Sequence, residues 1–100
     1  MGNITTRSIT IDRGLPAFLA VPDNLPGPAP AIVVMHERYG LVPHTQDLAK
    51  RFAREGFICV APDFFFRHPD QSALHNGDAR YDISDDEAAE HLNTAVELLE

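Results

Sequence analysis

Two short, unbroken apolar runs, AIVVMH at residues 31–36 and FICVA at residues 57–61, flank a segment with helical periodicity. An unbroken run suits a strand buried on both faces, as in a parallel sheet, whereas a strand with one wet face alternates. Between the runs, residues 45–55 (TQDLAKRFARE) place Leu48, Ala49, Phe52 and Ala53 on one helical stripe. Gly56 stands where a helix C-cap is expected, and Pro62 stops the second run. The pattern predicts a βαβ unit, with the right-handed crossover that nearly all such units share.

The flanking segments fill out this frame. Residues 4–12 (ITTRSITID) are rich in Ile and Thr, and residues 15–21 (LPAFLAV) follow a turn at Arg13-Gly14, so 4–21 reads as an antiparallel hairpin. Pro16 suggests an edge position for the second strand. Residues 22–30 (PDNLPGPAP) are a Pro/Gly-rich connection. Residues 62–83 read as a long irregular stretch carrying charges and histidines, a length usually reserved for functional or partly structured loops. Ser84-Asp85-Asp86-Glu87 then reads as a capping box, and Ala88, Ala89, Leu92, Ala95, Val96 and Leu99 follow on one helical face. No cap precedes Glu100, so the polypeptide is expected to continue. The fold class expected is α/β, with the order hairpin, βαβ, helix.

Charge and composition narrow the function. With 8 basic and 15 acidic residues the net charge is -7 and no Lys/Arg cluster stands out, which argues against nucleic-acid binding. No apolar run approaches the roughly 20 residues of a membrane span, and no signal peptide is recognisable. The lone Cys59 allows no intrachain disulfide and suits a reducing cytoplasmic setting. Lying inside FICVA without flanking glycines, it is expected to be a buried, inert thiol. Acylation and glycosylation patterns at Met1–Thr6 and Asn3–Thr5 are too loose to use.

In an open α/β sheet, ligands bind outside the carboxyl ends of the strands. The first such end here is His36-Glu37-Arg38-Tyr39-Gly40, which sets a carboxylate, a guanidinium and a phenol on the rim. His36-Glu37 begins like a zinc-protease helix, but residue 40 is Gly where the second His is required. No Walker loop or G-x-G-x-x-G occurs. His68, His75 and His91 are too irregularly spaced for zinc, so neither metal nor cofactor is expected. Asp63 and Arg67 are expected to pair with each other, and Arg80 is a candidate contact for an acidic substrate.

These residues resemble a known family. Residues 30–41 (PAIVVMHERYGL) are similar to the strand and loop of dienelactone hydrolases, where an apolar strand runs into a Glu and, shortly after, a Gly. Residues 57–67 (FICVAPDFFFR) resemble the family's next strand and its Pro-Asp-Leu-Phe/Tyr-x-Arg tail, and the helix from Ser84 resembles the one before its nucleophile strand. The resemblance implies an α/β-hydrolase with a Cys, His and Asp triad, acting on a small lactone or ester, the Cys in a G-x-C-x-G elbow. No such elbow occurs here, so no triad member can be assigned. The chain is then expected to be the N-terminal portion, residues 1–100, of a single hydrolase domain, inactive by itself because its nucleophile lies beyond residue 100. By the same resemblance Glu37 matches a carboxylate that gates the nucleophilic thiol, and the Arg38 N–H matches an oxyanion donor. Tyr39, His36 and Arg67 become candidate substrate contacts, although a strand-end histidine more often serves the structure. The competing expectation is a small doubly wound binding or regulatory module without catalysis.

Overall fold

In the computed structural model the described residues are 3–25, 27 and 29–99, with Arg13 described by its backbone alone. The pattern starting at Met1 and the continuation of the last helix past Glu100 lie outside them. β-branched residues dominate β1 (Ile4–Ile11), and Gly14, at φ 73°, turns the chain into β2 (Leu15–Pro22). The two strands pair antiparallel, from Ile4 opposite Pro22 to Ile11 opposite Leu15. After the connection come β3 (Ala31–Val33), helix α1 (Pro43–Arg54) and β4 (Ile58–Pro62). β3 and β4 run parallel, Val33 facing Val60, while β2 and β4 pair antiparallel. The sheet order is β1-β2-β4-β3, a mixed α/β sheet.

This order corrects the edge position suggested by Pro16, because β2 lies inside the sheet. A proline lacks only the N–H, and Pro16 still joins the ladder through its carbonyl, which accepts from the Asp63 N–H at 2.8 Å. A second correction concerns the first apolar run. Its strand ends at Val33 rather than residue 36, although the Val34 N–H still donates to Val60 at 2.8 Å. Nor is it buried on both faces: among the described residues β3 is an edge strand, with Ala31 exposed and only Val34 of the run buried.

Strand alternation sorts the core into two layers. Phe18, Ala20, Val34, Cys59 and Ala61 pack with Ala49 and Ala53 of α1 on one face. Ala17 and Val60 pack with Ala95 of helix α3 (Asp85–Leu99) on the other. Pro43 in the first turn of α1 lets that helix start two residues before the expected boundary. Leu48 is 39% exposed, so the buried stripe is narrower than expected.

The stretch 62–83 contains a short helix that the sequence reading missed, α2 (Gln71–Asn76). Asp70 caps it by accepting from the Ala73 N–H at 3.0 Å, and Gly77 ends it at φ 84°. Helix α3 forms as expected, but its buried residues are His91, Thr94 and Ala95, while Ala89 and Val96 are exposed. Half of the capping box forms: the Ser84 hydroxyl accepts from the Glu87 N–H at 3.1 Å, but the Glu87 carboxylate turns inward to other partners. No helix of the described residues is long and apolar enough to cross a membrane.

Candidate active site

Because β3 and β4 are parallel neighbours, their carboxyl ends emerge side by side, and His36 spans the gap between the segments that follow them. Its Nδ1 lies 2.7 Å from the Glu37 carbonyl oxygen, and its Nε2 lies 2.9 Å from the Phe64 backbone nitrogen. A carbonyl can only accept and a backbone N–H can only donate. Nδ1 therefore carries the proton and Nε2 is bare, which fixes one neutral tautomer. The side chain is 1% exposed and meets the rings of Phe64 and Phe65 edge-on, at 5.7 and 4.6 Å between centroids. Burial outweighs the Glu37 carbonyl and the Asp63 carboxylate, 3.9 Å away, and holds the His36 pKa below its ordinary 6.5.

Beyond His36 the chain turns, the Gly40 N–H donating to the Glu37 carbonyl at 3.1 Å and Gly40 adopting φ 82°. The turn sets Glu37 and Arg38 in solvent at the rim, and the Arg38 N–H has no hydrogen-bond partner among the described residues. The Arg38 guanidinium lies over the Tyr39 ring at 4.6 Å and donates to the Tyr39 hydroxyl at 3.2 Å. Helix α2 supports the turn from below. A Cβ on Gly77 would meet the Tyr39 ring at 3.0 Å, and one on Gly40 would meet the buried Leu74 side chain at 3.4 Å. Tyr39 is thus half-buried against α2, and Glu37, Arg38 and Tyr39 are brought together on a propped turn.

Arg67 is directed elsewhere. Its guanidinium lies 3.3 Å from Glu87 and 3.9 Å from Glu90 on α3, not beside Asp63, which corrects the expected pairing. Asp63 instead accepts from the Phe65 N–H at 3.1 Å, an Asx-type turn closing the chain just after β4. Glu87 gathers a group of side chains that the sequence reading did not join. Tyr81 donates to it at 2.7 and 2.9 Å, and His91 Nε2 lies 3.1 Å away. Burial alone would raise the Glu87 pKa, but the hydrogen bonds from Tyr81 and His91 and the Arg67 charge together leave it below the ordinary carboxylate value. The bond to Glu87 raises the Tyr81 pKa. The only prior signal was the i,i+4 spacing of Glu87 and His91, which a capping-box reading of Glu87 obscured.

A shallow depression of about 150 Å³ opens beside the turn, lined by Arg38, Phe65, Arg80, Tyr81 and Asp82. Among the described residues no group of three or more His, Cys, Asp or Glu side chains is placed to hold a metal ion. Cys59 is fully buried, with its thiol pKa pushed up to about 11 by burial. It faces α1 rather than the rim.

A family model described as the dienelactone hydrolase family matches residues 15–99. A Yersinia pestis protein provisionally named carboxymethylenebutenolidase is 39% identical over 62 residues, 62% of this chain and 23% of that protein. A structure solved for a provisionally named dienelactone hydrolase of Klebsiella pneumoniae subsp. pneumoniae MGH 78578 superposes with a TM-score of 0.83 at 27% identity, over 97% of this chain and 44% of that one. A dienelactone hydrolase-like promiscuous phosphotriesterase from metagenomic libraries shares the fold, with a TM-score of 0.73 at 24% identity over 98% of this chain and 43% of that one. The chain therefore spans less than half the length of these relatives.

Proposed function

The chain belongs to the dienelactone hydrolase family, and from that premise we propose that it supplies the oxyanion side of a hydrolase that cleaves a small lactone or carboxylic ester. The nucleophile and its base come from residues beyond 100, within the same α/β-hydrolase domain, so residues 1–100 alone are inactive. The observation that carries this reading is the Arg38 N–H, without a hydrogen-bond partner among the described residues, on a turn held at the carboxyl ends of two parallel strands. A backbone donor fixed in that place stabilises the oxygen charge that grows as a carbonyl is attacked. Glu37, exposed one residue earlier, acts on the ionisation of the nucleophile. Tyr39 and the depression holding Arg38 and Arg80 form one wall of the substrate site, where a negative substrate group finds two guanidinium groups. His36 supports this wall from within through Phe64, and the half-exposed Arg67 supports it through Glu87. The single cysteine of residues 1–100, Cys59, supports a reducing, cytoplasmic setting for the enzyme. The family match is the ground for preferring this reading to a binding module without catalysis.

The test uses the polypeptide expressed from the complete reading frame. Arg38 is the second residue of the Glu37–Gly40 turn, a position that suits proline, so Arg38→Pro deletes the N–H while keeping the turn. The expected loss in kcat is on the order of a hundredfold or more. Arg38→Ala keeps the donor and is expected to hold kcat within a few-fold. Equal losses from the two substitutions would remove the amide from the mechanism.

A further inference from the structure

Building on the reading of the Arg38 amide as an oxyanion donor, we infer that His36 is a positioning residue for that reaction, its buried ring setting the direction in which the amide points. The Glu37 carbonyl and the Arg38 N–H are the two ends of one peptide unit. No cis peptide occurs among the described residues, and in a trans unit the C=O and N–H point in opposite directions. Whatever holds the carbonyl therefore aims the amide.

Two donors hold that carbonyl, His36 Nδ1 at 2.7 Å and the Gly40 N–H at 3.1 Å. Together they use both lone pairs of the oxygen, so the unit cannot flip without losing two hydrogen bonds. The Gly40 bond belongs to the turn and moves with it. The His36 ring is anchored outside the turn, because its Nε2 accepts from the Phe64 N–H at 2.9 Å and it makes T-shaped contacts with the rings of Phe64 and Phe65. The ring is thus a strut between the segment leaving β4 and the peptide that carries the donor. Both ring nitrogens are spent in this way, and the 1% exposed side chain offers neither to a substrate.

The strut requires the neutral ring. A proton on Nε2 would set two donors, His36 and Phe64, against each other. The Asp63 carboxylate and His75 are the titratable side chains that act on the ring, and burial outweighs both carboxylate and carbonyl in keeping it neutral.

The two nitrogens can be separated chemically in the polypeptide from the complete reading frame. His36→Asn keeps a donor near the Nδ1 position and loses the acceptor for Phe64. His36→Gln reaches the Nε2 position and loses the donor to Glu37. Misdirecting the amide forfeits part of an oxyanion contact, so His36→Gln is expected to lower kcat about tenfold or more at unchanged KM. His36→Asn is expected to melt earlier yet keep kcat within about threefold. Equal kcat losses from the two variants, or a loss confined to KM, would overturn the inference. Arg38→Pro in the same series separates it from the reading beneath. If Arg38→Pro leaves kcat intact, or the complete product has no esterase or lactonase activity, both fall. If Arg38→Pro lowers kcat and His36→Gln does not, the strut alone falls.

Discussion

Cys59 and Glu37 stand at opposite extremes of solvent contact, and together they make the nucleophile experimentally visible. Cys59 is fully buried and its pKa is pushed up to about 11, so its thiolate is scarce at pH 8. Alkylation of the complete, folded product at pH 8 should therefore leave Cys59 unlabelled and report only a thiol supplied by later residues. Glu37 can then be tested by rate. A carboxylate beside a thiol disfavours the thiolate, so Glu37→Gln should lower the pKa of the reactive thiol and speed its labelling near neutral pH. An unchanged labelling profile would end the gating role. At this scale the exposure of Glu37 and Arg38 was legible in the sequence, because they follow an apolar run that ends at a sheet rim, whereas the burial of His36 was not. The partners of Arg67 were not. Glu87 lies 20 residues further on, and only the packing of α3 against the loop brings the two within 3.3 Å.

Among the elements, β1, β2, α1, β4 and α3, and β3 in part, were legible because each carries a strand-forming composition, an apolar run, a helical period or a cap of its own. Helix α2 was not, since six residues with one buried apolar side chain give no period, although Asp70 before it and Gly77 after it are the cap signals. Yet α2 is the element that most directly supports the rim. Leu74 is fully buried and lies against Gly40, and Gly77 lies against Tyr39. Leu74→Ala should destabilise the fold by about 2–5 kcal/mol, as other large-to-small core changes do. Urea unfolding measures this, and a loss under about 1 kcal/mol would mean that α2 is not packed as described. The face of α3 was misjudged for a related reason. Counting apolar residues placed Ala89 and Val96 inward, whereas the polar pair Glu87 and His91 turns the helix towards Arg67 and Tyr81.

At the scale of the whole molecule, His36 and Glu87 each contribute to the response to acid, and their signs agree. His36 has a folded pKa below 6.5, so the stability of its neutral form is fully present above 6.5 and is lost as pH falls through the folded value. Glu87 has a folded pKa below 4.5, so its contribution is present above 4.5 and is lost at still lower pH. Urea titrations across this range should show stability falling as pH drops below 6.5 and again below 4.5. Glu87→Gln should cost about 1 kcal/mol at pH 7, with the two curves converging in acid. Parallel curves would show that Glu87 is not ionised in its network. The sheet order carries one further consequence, for the timing of assembly. Among the described residues β4 is synthesised after β1, β2 and β3, yet it stands between β2 and β3. Until residues 58–62 have left the ribosome, the hairpin and β3 share no hydrogen bond and the rim has no second wall. A growing chain therefore joins its hairpin to β3, and gains its strut, only when β4 enters between them.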